Sequence, residues 1–118
     1  MTRKDLMNKN ISKMQAKYGG SHFNFLPKTY ILPKEYDLLK EEMQKYQYTY
    51  IAKPHNSSQG KGITVTSSME VIEAKLQRYS SLVVSHYIDN PLLINRLKFD
   101  LRIYVGITSI NPLRIYVY

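Results

Sequence analysis

From residue 98 to 105, charged and hydrocarbon side chains alternate almost without a break: Lys98, Phe99, Asp100, Leu101, Arg102, Ile103, Tyr104, Val105. Successive side chains of a strand point to opposite faces. The pattern therefore predicts a strand over 98–107, with Phe99, Leu101, Ile103 and Val105 turned to a core and Lys98, Asp100 and Arg102 in a row on the other face. At roughly 3.3 Å per residue the row is about 13 Å long, comparable to the distance from a nucleotide's base to its outer phosphates. Three charges of mixed sign behind so apolar a face make the row a candidate floor for a polyanion site.

Elsewhere the periodicity changes between 3.6 and 2. Met7, Ile11, Met14 and Tyr18 predict a helix over 4–18, stopped at Gly19-Gly20. Residues 21–33 read as extended between Pro27 and Pro33. Tyr36, Leu39, Met43 and Tyr46 share one face of a second helix over 34–46, with Glu41 and Lys45 as an i,i+4 pair. A strand over 48–53 ends at Pro54, a small-residue loop follows over 55–62, and 63–65 return as a strand. Ser67 and Glu70 form a capping box for a third helix with Met69, Ile72 and Leu76 inward. A strand over 82–86, a break at Asn90-Pro91 and a turn over 109–112 complete the chain, and 113–118 pair back antiparallel. This order predicts an α+β domain: a mostly antiparallel sheet with helices on one side. The last residues are an apolar strand still in progress, which predicts truncation at the C-terminus.

Composition narrows the chemistry. The 118 residues suit one ordinary domain. Seventeen Lys and Arg against nine Asp and Glu leave a net charge of +8, which favours acidic partners. The absence of cysteine excludes disulfides and thiolate metal sites. No run approaches the roughly 20 apolar residues of a membrane span, and the first ten residues lack an apolar signal core. A soluble protein of the cell interior, with no membrane partner, is expected. The cations are dispersed, with no arginine-rich helix or RNP-like aromatic strand, which argues against nucleic acid. His22, His55 and His86 lack metal-ligand spacing, and no Ser-His-Asp or paired-carboxylate arrangement is visible, so no metal site is expected.

Two segments carry candidate chemistry beside the charged row. In the loop Ser57, Ser58, Gln59, Gly60, Lys61 and Gly62, glycines permit close backbone approach, the serines add hydroxyls and Lys61 adds a cation. Such a loop folds over phosphates or is simply a hairpin tip; it is not a Walker A loop. Lys53 leaves an apolar strand beside it and either neutralises phosphate oxygens or reaches water as a strand-end lysine.

The segments IAKPHNSSQGKGI, LVVSHYIDNPLLI and KFDLRIYVGITSINPLRIYVY occur in that order. Together they resemble the tubulin tyrosine ligase-like family, ATP-grasp ligases that join amino acids to tubulin through peptide bonds. TRKDLMNKN and FLPKTYILP extend the likeness over nearly the whole chain. KFDLR with its NPLRIY partner is the most specific part, and VSHYIDNPLLI is closer to the polyglutamylase branch. The resemblance implies an ATP-grasp-like fold, with 1–47 a helical and extended segment leading into a partial nucleotide-binding region over 48–118. It implies that Lys53 contacts ATP phosphates, and that Ser57 to Gly62 cover them, with Gln59 and Lys61 replacing a common arginine pattern. Ser85, His86, Tyr87 and Ile88 would form the hinge beside adenine; many members carry glutamine where Ser85 stands, which leaves backbone groups of Tyr87 and Ile88 to read the base. Lys98 and Asp100 would lie near adenine and ribose, and Arg102 would face the terminal phosphates as the catalytic cation. Lys4 matches a basic residue of the amino-terminal part.

The implied activity is ATP-dependent formation of an isopeptide bond through an acyl phosphate, with free glutamate as the expected donor and the acidic tubulin tail on microtubules as acceptor. The expected setting is the cytoplasm and cytoskeleton, cilium or basal body included. The Mg²⁺ ligands of the family are expected beyond residue 118, so the piece alone is expected to be inactive. The rival reading is a non-catalytic truncated module that docks on microtubules or an acidic partner by charge.

Overall fold

In the computed structural model, residues 4–55 and 60–118 are described, with side chains from residue 6 onward. Helix α1 (Lys4–Tyr18) ends at Gly19 (φ +90°) and is followed by a short 3-10 helix, Gly20–Phe23. Then come β1 (Thr29–Leu32), α2 (Tyr36–Lys45), β2 (Tyr50–Pro54), β3 (Thr64–Thr66), α3 (Met69–Tyr79) and β4 (Leu82–His86). Two small hairpins follow: β5 (Leu93–Ile94) with β6 (Leu97–Lys98), and β7 (Val105–Ile110) with β8 (Leu113–Val117). The main sheet has the order β1-β4-β2-β3, with every neighbouring pair antiparallel. The α+β expectation holds, and the sheet draws on residues from both sides of position 47.

Strand alternation builds the core. Tyr30 and Leu32 of β1, Tyr50 and Ala52 of β2, and Leu82 and Val84 of β4 point to one face, where Leu39 of α2 and Ile72 of α3 cover them. Tyr36, Met43, Met69, Leu76 and Tyr79 close the edges. Both helices were legible from their apolar stripes, but Tyr46 does not join the inward face. It leaves the helix in extended conformation as the C-cap of α2 and stacks on Tyr48, ring centroids 5.3 Å apart.

A carboxylate sits inside this core. Glu42 of α2 is only 7% exposed. It accepts from Tyr30 of β1, from Lys28 and from His86 of β4, and from Tyr50 Oη of β2 at 3.2 Å. Burial pushes its pKa up, but the bonds from Lys28, Tyr30 and His86 outweigh this and hold it down at about 2. Burial and the Glu42 carboxylate both push the Tyr50 phenol up, and burial and the Glu42 bond do the same for Tyr30, so both remain donors at neutral pH. A second inter-element bond joins Tyr36 of α2 to Glu73 of α3.

Further expectations need correction. The helices do not all lie on one side of the sheet: α1 borders the face opposite α2 and α3, where Met7 and Asn8 share a cavity with Lys53, Val83 and Ser85. The N-cap of α3 is Ser68, not Ser67; Ser68 is the last extended residue, and its Oγ accepts from Val71 N–H at 3.4 Å. Glu70 instead accepts from the Ser68 hydroxyl.

The largest correction concerns the charged row: there is no continuous strand over 98–107. β6 ends at Lys98, β7 begins at Val105, and 99–104 carry no regular strand. The β7–β8 ladder extends only to mutual backbone bonds between Tyr104 and Tyr118 (2.9 and 3.0 Å). Without a strand partner, 99–103 have no ladder to hold them in a pleat. Phe99 is half-buried, but Leu101 is 75% exposed and Ile103 56%. The extended reading of 21–33 holds only for its last part, since the Gly19-Gly20 pair leads into the 3-10 turn first.

Replacing Glu42 by Ala should destabilise the chain by about 2–4 kcal/mol in urea unfolding at pH 7, because the buried Tyr30 and Tyr50 hydroxyls lose their acceptor. The folded carboxyl binds its proton more weakly than an ordinary one, so its contribution is complete above the usual value of 4.5 and disappears as pH falls towards 2. The Glu42→Gln variant should therefore show a shallower acid loss of stability over that window than the parent chain. At Gly62 (φ +72°) an added Cβ would stand 2.8 Å from Tyr79 Oη and 3.0 Å from Pro54 Cγ, whereas at Gly60 (φ +74°) it meets open space. Gly62→Ala should lower the unfolding free energy by roughly 1–3 kcal/mol, and by more than Gly60→Ala.

Candidate functional site

The face of the sheet turned away from α2 and α3 carries the expected phosphate cation. Register pairs Lys53 with Val83 and Ile51 with Ser85, and on the other side of β4 pairs Ile31 with Val83 and Thr29 with Ser85. Lys53 and Ser85 thus lie on neighbouring strands, two residues out of step, about 7 Å along the strand direction. They line one cavity of about 190 Å³ with Met7, Asn8, Leu26, Pro27, Thr29 and Val83. Its walls at 7, 8, 26, 27 and 29 escaped the sequence reading, because nothing in local spacing shows that α1 returns to this face.

The hydroxyls here have a fixed direction. Thr29 Oγ1 donates to the Pro27 carbonyl at 2.9 Å, so Ser85 Oγ donates to Thr29 Oγ1 at 2.9 Å. Ser85 is nearly buried and keeps lone pairs to offer, not a proton. Lys53 is the cation of the cavity, and pairing with phosphate oxygens is chemistry available to it.

The hinge residues divide between the two faces. The His86 ring points to the opposite side, into the Glu42 cluster, with its backbone N–H on the Lys28 carbonyl at 2.9 Å. Tyr48 and Tyr50 pack on that ring, with centroids 4.8 and 5.1 Å away. Tyr87 N–H is engaged by the Thr49 carbonyl at 2.8 Å, so it is the sheet, not a ligand, that holds this donor; Ile88 is exposed. The signal for His86 was its even place in a strand of apolar residues; its inward partner, Glu42, lies 44 residues away in sequence.

Of the covering loop, Ser57, Ser58 and Gln59 lie outside the described residues. Gly60 and Gly62 both take left-handed backbone conformations, Ile63 N–H donates to the Gly60 carbonyl at 3.3 Å, and Lys61 is exposed. Lys98, Asp100 and Arg102 are exposed as well, and none of them lines the cavity that holds Lys53 and Ser85. The charged row is therefore not assembled opposite Lys53 in this chain. Lys4 opens α1. Among the described residues no group of three or more His, Cys, Asp or Glu could hold a metal, and no helix is long and apolar enough to cross a membrane.

Comparison with known proteins adds what this geometry leaves open. Residues 1–118 match the model of the tubulin-tyrosine ligase family. Over 118 residues the chain is 42% identical to the tubulin polyglutamylase TTLL5 of Homo sapiens, an alignment that covers 100% of the chain and 9% of that protein. It is 41% identical over 121 residues to the tubulin polyglutamylase TTLL7 of Xenopus tropicalis, covering 98% of the chain and 13% of that protein. To the tubulin monoglutamylase TTLL4 of Mus musculus it is 39% identical over 117 residues, with 98% and 10% covered. The chain spans about a tenth of the length of these relatives. A family model matched from end to end, over the same α1-to-β8 course described above, identifies the chain as a member of the tubulin-tyrosine ligase family.

Proposed function

We propose that this chain is part of an ATP-dependent ligase that joins glutamate to the acidic tail of tubulin, and that it supplies one wall of an ATP-grasp nucleotide site. The reading is carried by one observation: roughly 40% identity, along essentially the whole chain, to relatives named as tubulin polyglutamylases and monoglutamylases. The Lys53 cavity supports it, since a cation beside an acceptor-only hydroxyl suits phosphate oxygens at one end and the amino group of a base at the other. Residues 48–118 would carry the nucleotide-binding part and 1–47 lead into it.

In the proposed reaction a glutamate side-chain carboxylate of the acceptor attacks the terminal phosphate of ATP, and ADP leaves. The amine of free glutamate then attacks the acyl phosphate, forming the isopeptide bond and releasing phosphate and a proton. Lys53 would hold the phosphates. Arg102, brought to the same site, would stabilise charge on the transferring group, and the glycine hairpin with Lys61 would exclude water. Lys98 and Asp100 would address the ribose and base, beside the 85–88 hinge. The donors of this chain do not fit Mg²⁺: Asp100 stands between two cations, and the described residues contain no carboxylate cluster. The metal would be held elsewhere. Such an enzyme would act in the cytoplasm on the cytoskeleton, ciliary and basal-body microtubules included.

The full-length protein, incubated with tubulin, ATP and labelled glutamate, should incorporate label into the tubulin tail. Lys53→Ala and Arg102→Ala should each lower incorporation by about 10²-fold or more, with nucleotide affinity falling in the Lys53 variant. No incorporation beside an active control ligase would instead favour a charge-docking module.

A further inference from the structure

Helix α1 has two unlike sides. Asn8, Ile11, Ser12 and Gln15 face the body of the protein, where they line a cavity with Asn24, Leu26, Pro27, Lys28 and Thr29. Gln15 Nε2 donates to the Phe23 carbonyl at 3.0 Å, which fixes the helix in rotation. Lys9, Lys13 and Lys17 recur at i, i+4 and i+8 on the other side, and all are exposed. The helix sequence carries one acid, Asp5, and none follows until Glu35. Lys28 is engaged by Glu42, and Lys17 lies over the Tyr18 ring at 4.9 Å.

Folding accounts for only part of this ridge: Lys17 in the last turn suits the helix dipole, and Lys9 follows Asp5 at i,i+4. Lys13 and Lys17 have no acid at i−4, only another lysine, and like charges one helical turn apart destabilise a helix. With 1.5 Å rise per residue, successive lysines stand about 6 Å apart along the axis and the ridge is about 12 Å long. Alternate side chains of an extended peptide are spaced about 6.7 Å, so a run of glutamates meets the three ammonium groups nearly in step. The place matters too. Met7 and Asn8 of the same helix are walls of the Lys53 cavity. A helix is about 10 Å across, which three or four extended residues span.

We propose that the Lys9–Lys13–Lys17 ridge of α1 is a docking surface for an acidic, glutamate-rich polypeptide tail and leads it towards the Lys53 cavity. The inference deepens the proposed function, since it names the surface that holds the acceptor. It commits to a polypeptide, not to nucleic acid or an anionic membrane. The choice rests on charge complementarity: from residue 9 to 17 the helix carries no acid, and a glutamate run offers a carboxylate to each ammonium group in turn.

The test uses the full-length protein and fluorescent poly-L-glutamate, with binding read by anisotropy across a salt series, and so needs no turnover. The Lys9→Glu, Lys13→Glu, Lys17→Glu triple variant should bind about tenfold or more weakly at low salt, with a shallower salt dependence. The triple Arg variant should bind as the parent does. A triple Gln variant, expected to lose about three- to fivefold, carries the test if charge reversal prevents folding. Parental affinity in folded Glu or Gln variants would overturn the proposal, and so would tighter parental binding to phosphatidylserine vesicles or RNA than to polyglutamate. Parental protein that binds polyglutamate through the ridge but transfers no glutamate would sink the proposed function and leave the ridge standing.

Discussion

One carboxylate on α2 gathers the protons of three strands. Glu42 accepts from Tyr30 on β1, Tyr50 on β2 and His86 on β4, and Lys28 closes the cluster from outside. The strand order β1-β4-β2 puts these three side chains next to one another. The result is a point of attachment with polar specificity inside an apolar layer. A shift of any strand by one residue would turn its donor to the other face and leave the carboxylate buried without it. The same cluster draws the His86 ring, and with it the end of β4, towards α2.

That choice of face organises the other side of the sheet. Because Leu82, Val84 and His86 point to the helices, Val83 and Ser85 must point away, beside Lys53. The candidate site is thus the reverse side of the core. Ile31, Val83 and Ile51 make it apolar, while Lys53, Ser85 and Thr29 give it a polar line. Helix α1 completes a wall from the start of the chain through Met7 and Asn8.

The glycine hairpin and the segment after Lys98 behave differently from this frame. Gly62 is held where Tyr79 of α3 and Pro54 of β2 leave no room for a Cβ, so the base of the hairpin is tied to the core side. Residues 99–103 have no such anchor. Their alternation of charge and hydrocarbon is a strand pattern, and a strand exists only where another strand completes its ladder and a layer covers its apolar face.

Local sequence determined the three helices, the strands around Ile51 and Val84, and the turn at Asn111-Pro112 with its returning strand, because in each the information is local: apolar spacing, a proline, a glycine pair. The motif order determined the family for the same reason, since it is a property of the chain. Tertiary structure alone decided that Glu42 is interior, that α1 crosses to the far face, that Ser85 is an acceptor held by Thr29, and that the charged row stays unassembled. Each of these depends on which distant backbone lies alongside, and a residue's burial and partners are set by neighbours it does not have in sequence.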